Sequence, residues 1–187
     1  AQQVLLCLFP FTGVIWVDQL ENYANHLVSL SPHLPVSQFP AVLKAAQDWG
    51  LLTPHELPGY LRLQPVLPYF LKTRLAQEPG EVRAAIETAF RLHYAELGET
   101  LEKLIQSKKA QERQLGIALI QVEYENFSTA LQLSLATSES FYYTFSALAE
   151  YLLATQDHRR RQGGALGLRD RWRRHARGSS DCHRRGR

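Results

Sequence analysis

Apolar positions set the first element boundaries. Residues 3–8 read as a short helix closed by Pro10. Leu20, Tyr23, Leu27 and Leu30 then fall at helical spacing and predict a helix over residues 17–30. Asp18 and Glu21 lie in its first turn, where the helix dipole favours acids, and Ser31-Pro32 ends it. Ser37 is the expected N-cap of a third helix with Phe39, Val42, Leu43, Ala46 and Trp49 on its apolar face, stopped by Gly50. Leu51-Leu52-Thr53 reads as a short strand, and Tyr60-Leu61-Arg62-Leu63 alternates as a second. The connection Pro54–Gly59 would pair them as a hairpin. Residues 66–76 return to helix, with Leu67, Phe70, Leu71 and Leu75 inward.

Beyond Pro79-Gly80 the period is purely helical. Val82, Ile86, Phe90, His93, Leu97, Leu101 and Leu104 define one face of a helix of about 25 residues. Ile117, Ile120, Tyr124, Phe127, Leu131 and Leu135 define a second. A third is expected from Phe141 to Thr155, with Phe145, Leu148, Tyr151 and Leu152 apolar. Short links imply antiparallel neighbours. Three helices and a hairpin, followed by long helices, is the order of a winged helix leading into helical repeats. The second and third helices would form its helix-turn-helix element.

Proline placement agrees with this division. All nine prolines lie between Pro10 and Pro79, so the later helices are uninterrupted. The expected organisation is a winged-helix-like domain over 1–80, a helical linker with a first repeat helix over 81–157, and an Arg-rich disordered tail over 158–187.

Charge sharpens the last boundary. The chain has 187 residues and a net charge of +3, which would prompt a search for a nucleic-acid partner. Yet residues 158–187 carry 11 Arg and two acids, whereas residues 1–157 carry a net −6. The tail has no periodicity, and its apolar bulk is limited to Leu166, Leu168 and Trp172. Its composition resembles a GC-rich gene read out of frame, so a frameshift near Arg160 is the expected origin. There is no Met, and the chain begins inside an apolar run, Val4–Phe9, without the basic start of a signal peptide. A fragment of a longer, cytoplasmic protein is the expectation.

No catalytic set, metal site or phosphate loop emerges. Glu123 and Glu125 point to different helix faces and read as solvated or capping charges. Cys7 reads as a small core residue, and His93 as an interior or boundary residue on an apolar face. Cys182, His183 and His175 lack the second Cys of a zinc site. Glu56 beside His55 sits in a turn without a visible partner. The expected recognition helix, residues 37–49, offers Lys44 against Asp48, and residues 1–80 carry a net −1. DNA binding needs several phosphate-neutralising cations and is disfavoured on that count. The Arg tail could hold nucleic acid by charge alone, with Trp172 stacking on bases, but a solvated or out-of-frame tail is the preferred reading.

Four stretches together carry a resemblance. Leu5-Leu6-Cys7-Leu8-Phe9-Pro10-Phe11-Thr12-Gly13 resembles the opening of the winged-helix domain in STAND-type, NB-ARC-like signalling NTPases. Asp48-Trp49-Gly50-Leu51-Leu52 resembles the end of its third helix. Tyr60-Leu61-Arg62-Leu63-Gln64-Pro65-Val66-Leu67 resembles the wing strand entering the fourth. Glu123-Tyr124-Glu125-Asn126-Phe127-Ser128-Thr129-Ala130-Leu131 is similar to a Glu-x-x-Asn-hydrophobic-x-x-Ala-Leu signature that follows it.

The resemblance implies a non-catalytic regulatory module linking a nucleotide-binding domain to tetratricopeptide (TPR) repeats. Its implied partners are that domain of the same parent protein and proteins bound by the repeats. The chain itself has no P-loop, so no cofactor is expected. The family's sensor histidine falls on Gln64, which can donate a hydrogen bond but cannot be cationic. A winged-helix transcription regulator is the alternative. Truncation of the repeat would leave Phe145, Leu148 and Leu152 uncovered and available for self-association.

Overall fold

Two glycines at positive φ, Gly13 at 77° and Gly59 at 81°, turn the chain into and within a sheet that the hydrophobic pattern only half reveals. A computed structural model describes residues 2–162 of the chain. In order these form α1 (Gln2–Leu6), β1 (Val14–Trp16), α2 (Leu20–Leu30), α3 (Phe39–Asp48), β2 (Leu52–Pro54), β3 (Tyr60–Leu63) and α4 (Val66–Leu75). Three long helices follow, α5 (Gly80–Ile105), α6 (Ala110–Thr137) and α7 (Tyr142–Gln162). The described residues are thus mainly helical, with one small antiparallel sheet.

The sheet has three strands in the order β1-β3-β2 rather than the two of the expected hairpin. β1 pairs Val14 with Arg62, Ile15 with Leu61 and Trp16 with Tyr60. β2 pairs Leu52 with Leu63 and Thr53 with Arg62. β1 escapes a local reading because three residues show no period and its partner lies far along the sequence. The helix expected over 17–30 begins accordingly as a 3-10 turn, Val17–Gln19, before α2 proper.

Several expected faces are rotated. α3 starts at Phe39 with Gln38 as its N-cap and no capping side chain, so Ser37 lies in the preceding 3-10 turn. Trp49, expected inside, is 76% exposed, and Leu30 and Phe70 also face out. α4 turns Leu67, Leu71 and Leu75 inward. α6 buries Ile120, Glu123, Asn126, Phe127, Ala130 and Ser134, leaving Tyr124 and Leu135 outside. α7 buries Thr144, Ala147 and Leu148, while Phe145 and Leu152 are exposed.

Contacts divide the chain after Tyr151. In the first unit, α5 packs against both α2 and α6. An aromatic cluster joins these layers. Phe11 meets Tyr23 edge-on at 5.2 Å and Phe90 at 5.0 Å, and Tyr94 meets Phe127 at 5.1 Å. Tyr23 Oη donates to the Cys7 carbonyl at 2.6 Å, so the buried tyrosine keeps a partner. Gly98 lets α7 approach α5 closely, since a Cβ there would lie 2.8 Å from the Tyr143 carbonyl oxygen. Ser146 Oγ donates to Glu102 Oε1 across the same contact at 2.6 Å. The described part of the second unit is the end of α7, from Leu152 to Gln162, which runs past the expected stop at Thr155. The remainder of the Arg-rich segment 158–187 lies outside the described residues.

Candidate functional site

α6 carries two polar residues one turn apart on its buried face, Glu123 and Asn126. The helical repeat forces both toward the core, where an unpaired polar group is costly. The fold supplies partners from distant parts of the chain. Asn126 Nδ2 donates to the Val14 carbonyl at 2.9 Å and to Glu123 Oε2 at 2.7 Å. Asn126 Oδ1 accepts the Thr12 amide N–H at 2.7 Å and the Thr12 hydroxyl at 3.3 Å. Thr12 and Thr129 hydroxyls approach to 3.3 Å. One amide side chain therefore bonds backbone groups on both sides of Gly13 and ties that turn to the long helices.

Glu123 extends the join. Its Oε2 accepts the Tyr94 hydroxyl from α5 at 2.7 Å. Tyr60 of β3 approaches the same carboxyl, stacking its ring on Trp16 at 5.3 Å. The approach is off hydrogen-bond geometry, and Tyr60 Oη and Glu123 Oε1 both stay buried without a hydrogen bond. Burial raises the Glu123 pKa, opposed by the hydrogen bonds from Asn126 and Tyr94. Burial also raises the tyrosine hydroxyls, Tyr94 and Tyr60 alike, and the nearby Glu123 charge adds to it. The Glu123 carboxyl links α5 to α6, and Asn126 carries the join on to β1.

The expectation that Glu123 is a solvated or capping charge is thus corrected, because its helix face is covered by Tyr94 and Tyr60. Glu125 is exposed, but its Oε2 would lie 2.8 Å from a Cβ at Gly13, so it covers that turn from outside. Gln64 is half-buried at the β3–α4 junction, where its amide donates to Leu51 O at 3.0 Å and its carbonyl accepts from Leu67. It stands apart from the Glu123 join. Lys44 is spent on Asp48 at 3.3 Å along α3. His55 Nδ1 accepts the Leu57 amide and shapes the turn before β3. Cys182, His175 and His183 lie outside the described residues. Among the described residues no group of His, Cys, Asp and Glu is placed to hold a metal. Nor is any helix there long and apolar enough to cross a membrane.

Two further titratable residues are buried. Cys7 is buried and its thiol is pushed up to about 12 by desolvation, so it is unreactive in the folded chain. His93 sits beside Tyr23 and Tyr94, and burial, with a smaller contribution from His26, lowers it to about 4.

Opposite pH limbs follow. His93 is lowered from 6.5, so its contribution is complete above that value and disappears as pH falls toward 4. About 3 kcal/mol of folding free energy should be lost by pH 4 from this group. Glu123 is raised, so its contribution is complete below the unfolded carboxyl value and decays as pH rises through its folded value. Glu123→Gln keeps the size and stays neutral. It should remove the loss of stability on the rising-pH side while leaving the acid limb intact. Urea unfolding at a series of pH values checks this, and an unchanged profile in the variant would contradict the assignment.

Comparison with protein-family models, curated proteins and solved structures finds no match to this chain.

Proposed function

We propose that the chain is a non-catalytic regulatory and protein-interaction module of a STAND-type, NB-ARC-like signalling NTPase. In this reading α1–α4 with the sheet form its winged helix. The helices α5–α7 lead into TPR-like repeats, in a cytoplasmic parent protein. The observation that carries the reading is the role of the signature residues. Asn126 joins α6 to the Gly13 turn and to β1, and Glu123 ties Asn126 to Tyr94 of α5.

The mechanism is mechanical. α5 and α6, of 26 and 28 residues, are levers about 40 Å long. A partner that tilts them pulls on Thr12 and Val14 through Asn126, and so on the sheet beside α4. The nucleotide-binding domain docked on that region would feel the strain, which is the two-state coupling such regulation needs. Gln64 would meet the nucleotide as a neutral hydrogen-bond donor. The DNA-binding alternative is weaker, because Lys44 of α3 is paired with Asp48.

The test is the gene on either side of this segment and the domain it encodes. An upstream P-loop domain, titrated with this chain, should bind it. Absence of any P-loop upstream, or no association with the domain found there, would overturn the reading. Sequence-selective binding of duplex DNA would favour the alternative.

A further inference from the structure

Two exposed apolar faces of the first unit carry opposite charge. The first is the outer side of α4, where Val66, Tyr69 and Phe70 are 61%, 76% and 52% exposed. Tyr69 and Lys72 continue into a cleft of about 250 Å³ walled by Phe9, Pro10 and Leu133. Between Leu57 and Gln77 the chain has Arg62, Lys72 and Arg74 and no acid. The second face is the outer side of α7, where Phe141, Tyr142 and Phe145 are exposed, with Phe141 and Phe145 edge-on at 6.3 Å. From Gln114 to Tyr151 the chain contains four acids and no Lys or Arg, and of these only Glu123 is buried. Glu139 is exposed just before α7, and Glu150 is half-buried on it.

Neither face is explained by the join at Asn126. Apolar patches rimmed by polar residues mark interaction surfaces. A cationic rim calls for an anionic one, and complementary rims select the partner and its orientation. Such a partner is present on every copy of the chain. We propose that the α4 face of one copy docks on the α7 face of the next, giving head-to-tail self-association. The two surfaces are different, so the interface is heterologous. It builds rings if the rotation closes and open chains if it does not. This inference is independent of the signalling role proposed above.

Sedimentation velocity of the full chain over a wide concentration range tests it. Species larger than a dimer should appear with concentration and recede as salt screens the rims. Lys72→Glu opposes two acidic faces, and Glu150→Lys opposes two basic ones. Each alone should weaken association by about tenfold. An equimolar mixture of the two variants should recover it, because each altered face meets a complementary one. Phe70→Ser and Phe145→Ser should weaken it as well, and helical circular dichroism with unchanged melting establishes that all four variants are folded. A monomer at every concentration overturns the proposal. So does an assembly stopping at dimers and insensitive to Lys72→Glu and Phe70→Ser, which would mean α7 pairing with α7. Association retained in both charge variants would point to the Arg-rich segment as the partner and overturn it too.

Discussion

Replacing Asn126 with alanine should cost about 3 kcal/mol of stability, more than any other polar substitution in the described chain. The estimate rests on what the truncation strands. The Thr12 amide N–H loses its acceptor at 2.7 Å, and the Val14 carbonyl loses its donor at 2.9 Å. Glu123 loses one of its two hydrogen bonds at the same time. A buried group left without a partner costs about 1–3 kcal/mol, and water at the partly exposed Thr12 recovers some of it. Asn126→Asp discriminates the causes. It keeps an acceptor for Thr12, removes the donor to Val14, and places a second acid against Glu123. Its deficit should therefore deepen more steeply as pH rises than that of the alanine variant, which loses a donor to Glu123 without adding a second acid. Urea unfolding at two pH values measures both. Wild-type stability in Asn126→Ala would mean that the turn at Gly13 holds without the amide.

Gly98→Ala should be the next most damaging change, against helix propensity. Alanine inside a helix is favoured over glycine by about 1 kcal/mol. Here the added Cβ would lie 2.8 Å from the Tyr143 carbonyl oxygen, 3.0 Å from its carbon and 3.3 Å from the Thr144 nitrogen. These are backbone atoms and cannot rotate away. α7 has to move off α5, loosening Thr144, Ala147 and Leu148. A net loss of about 2 kcal/mol is expected, in the range of overpacked cores. Gly116→Ala is the control. Its nearest neighbours include Leu104 Cβ and Ile105 Cγ1 at 3.0 Å, part of which can rotate, so its deficit should be smaller. Thermal melts of the two variants rank them, and the reverse order would refute the contact at Gly98.

These two residues also mark where sequence reasoning succeeds and stops. Of the stripe Val82, Ile86, Phe90, His93, Leu97, Leu101 and Leu104, α5 buries the middle five as the spacing predicts and half-buries the two ends. α6 does not follow its apolar stripe, because Glu123, Asn126 and Ser134 share the buried face. A period count treats these as solvent-facing. Their partners on β1, α5 and the α6 backbone make burial tolerable, and two of those elements lie outside any local window. Trp49 and Phe70 fail in the other direction. Both sit at positions a core would fill, yet both face out, where packing cannot be read from spacing. β1 was hidden for the same reason, since Val14–Trp16 gains its identity from Tyr60–Arg62. The Glu-x-x-Asn spacing was visible as a motif, but its chemistry emerges only once Thr12 and Val14 are beside it.

The hydrogen bond from Thr12 to Asn126 also sets an order of events during synthesis. Its two residues are separated by 114 positions. A ribosome adding about 5–20 residues per second needs on the order of ten seconds to deliver Asn126 after Thr12. Once Leu63 has emerged β1 and β3 can pair, but the Thr12 amide and the Val14 carbonyl still lack Asn126. Phe11 likewise lacks Phe90 and Tyr94 until α5 has emerged. The turn at Gly13 therefore stays incompletely bonded until α6 has emerged.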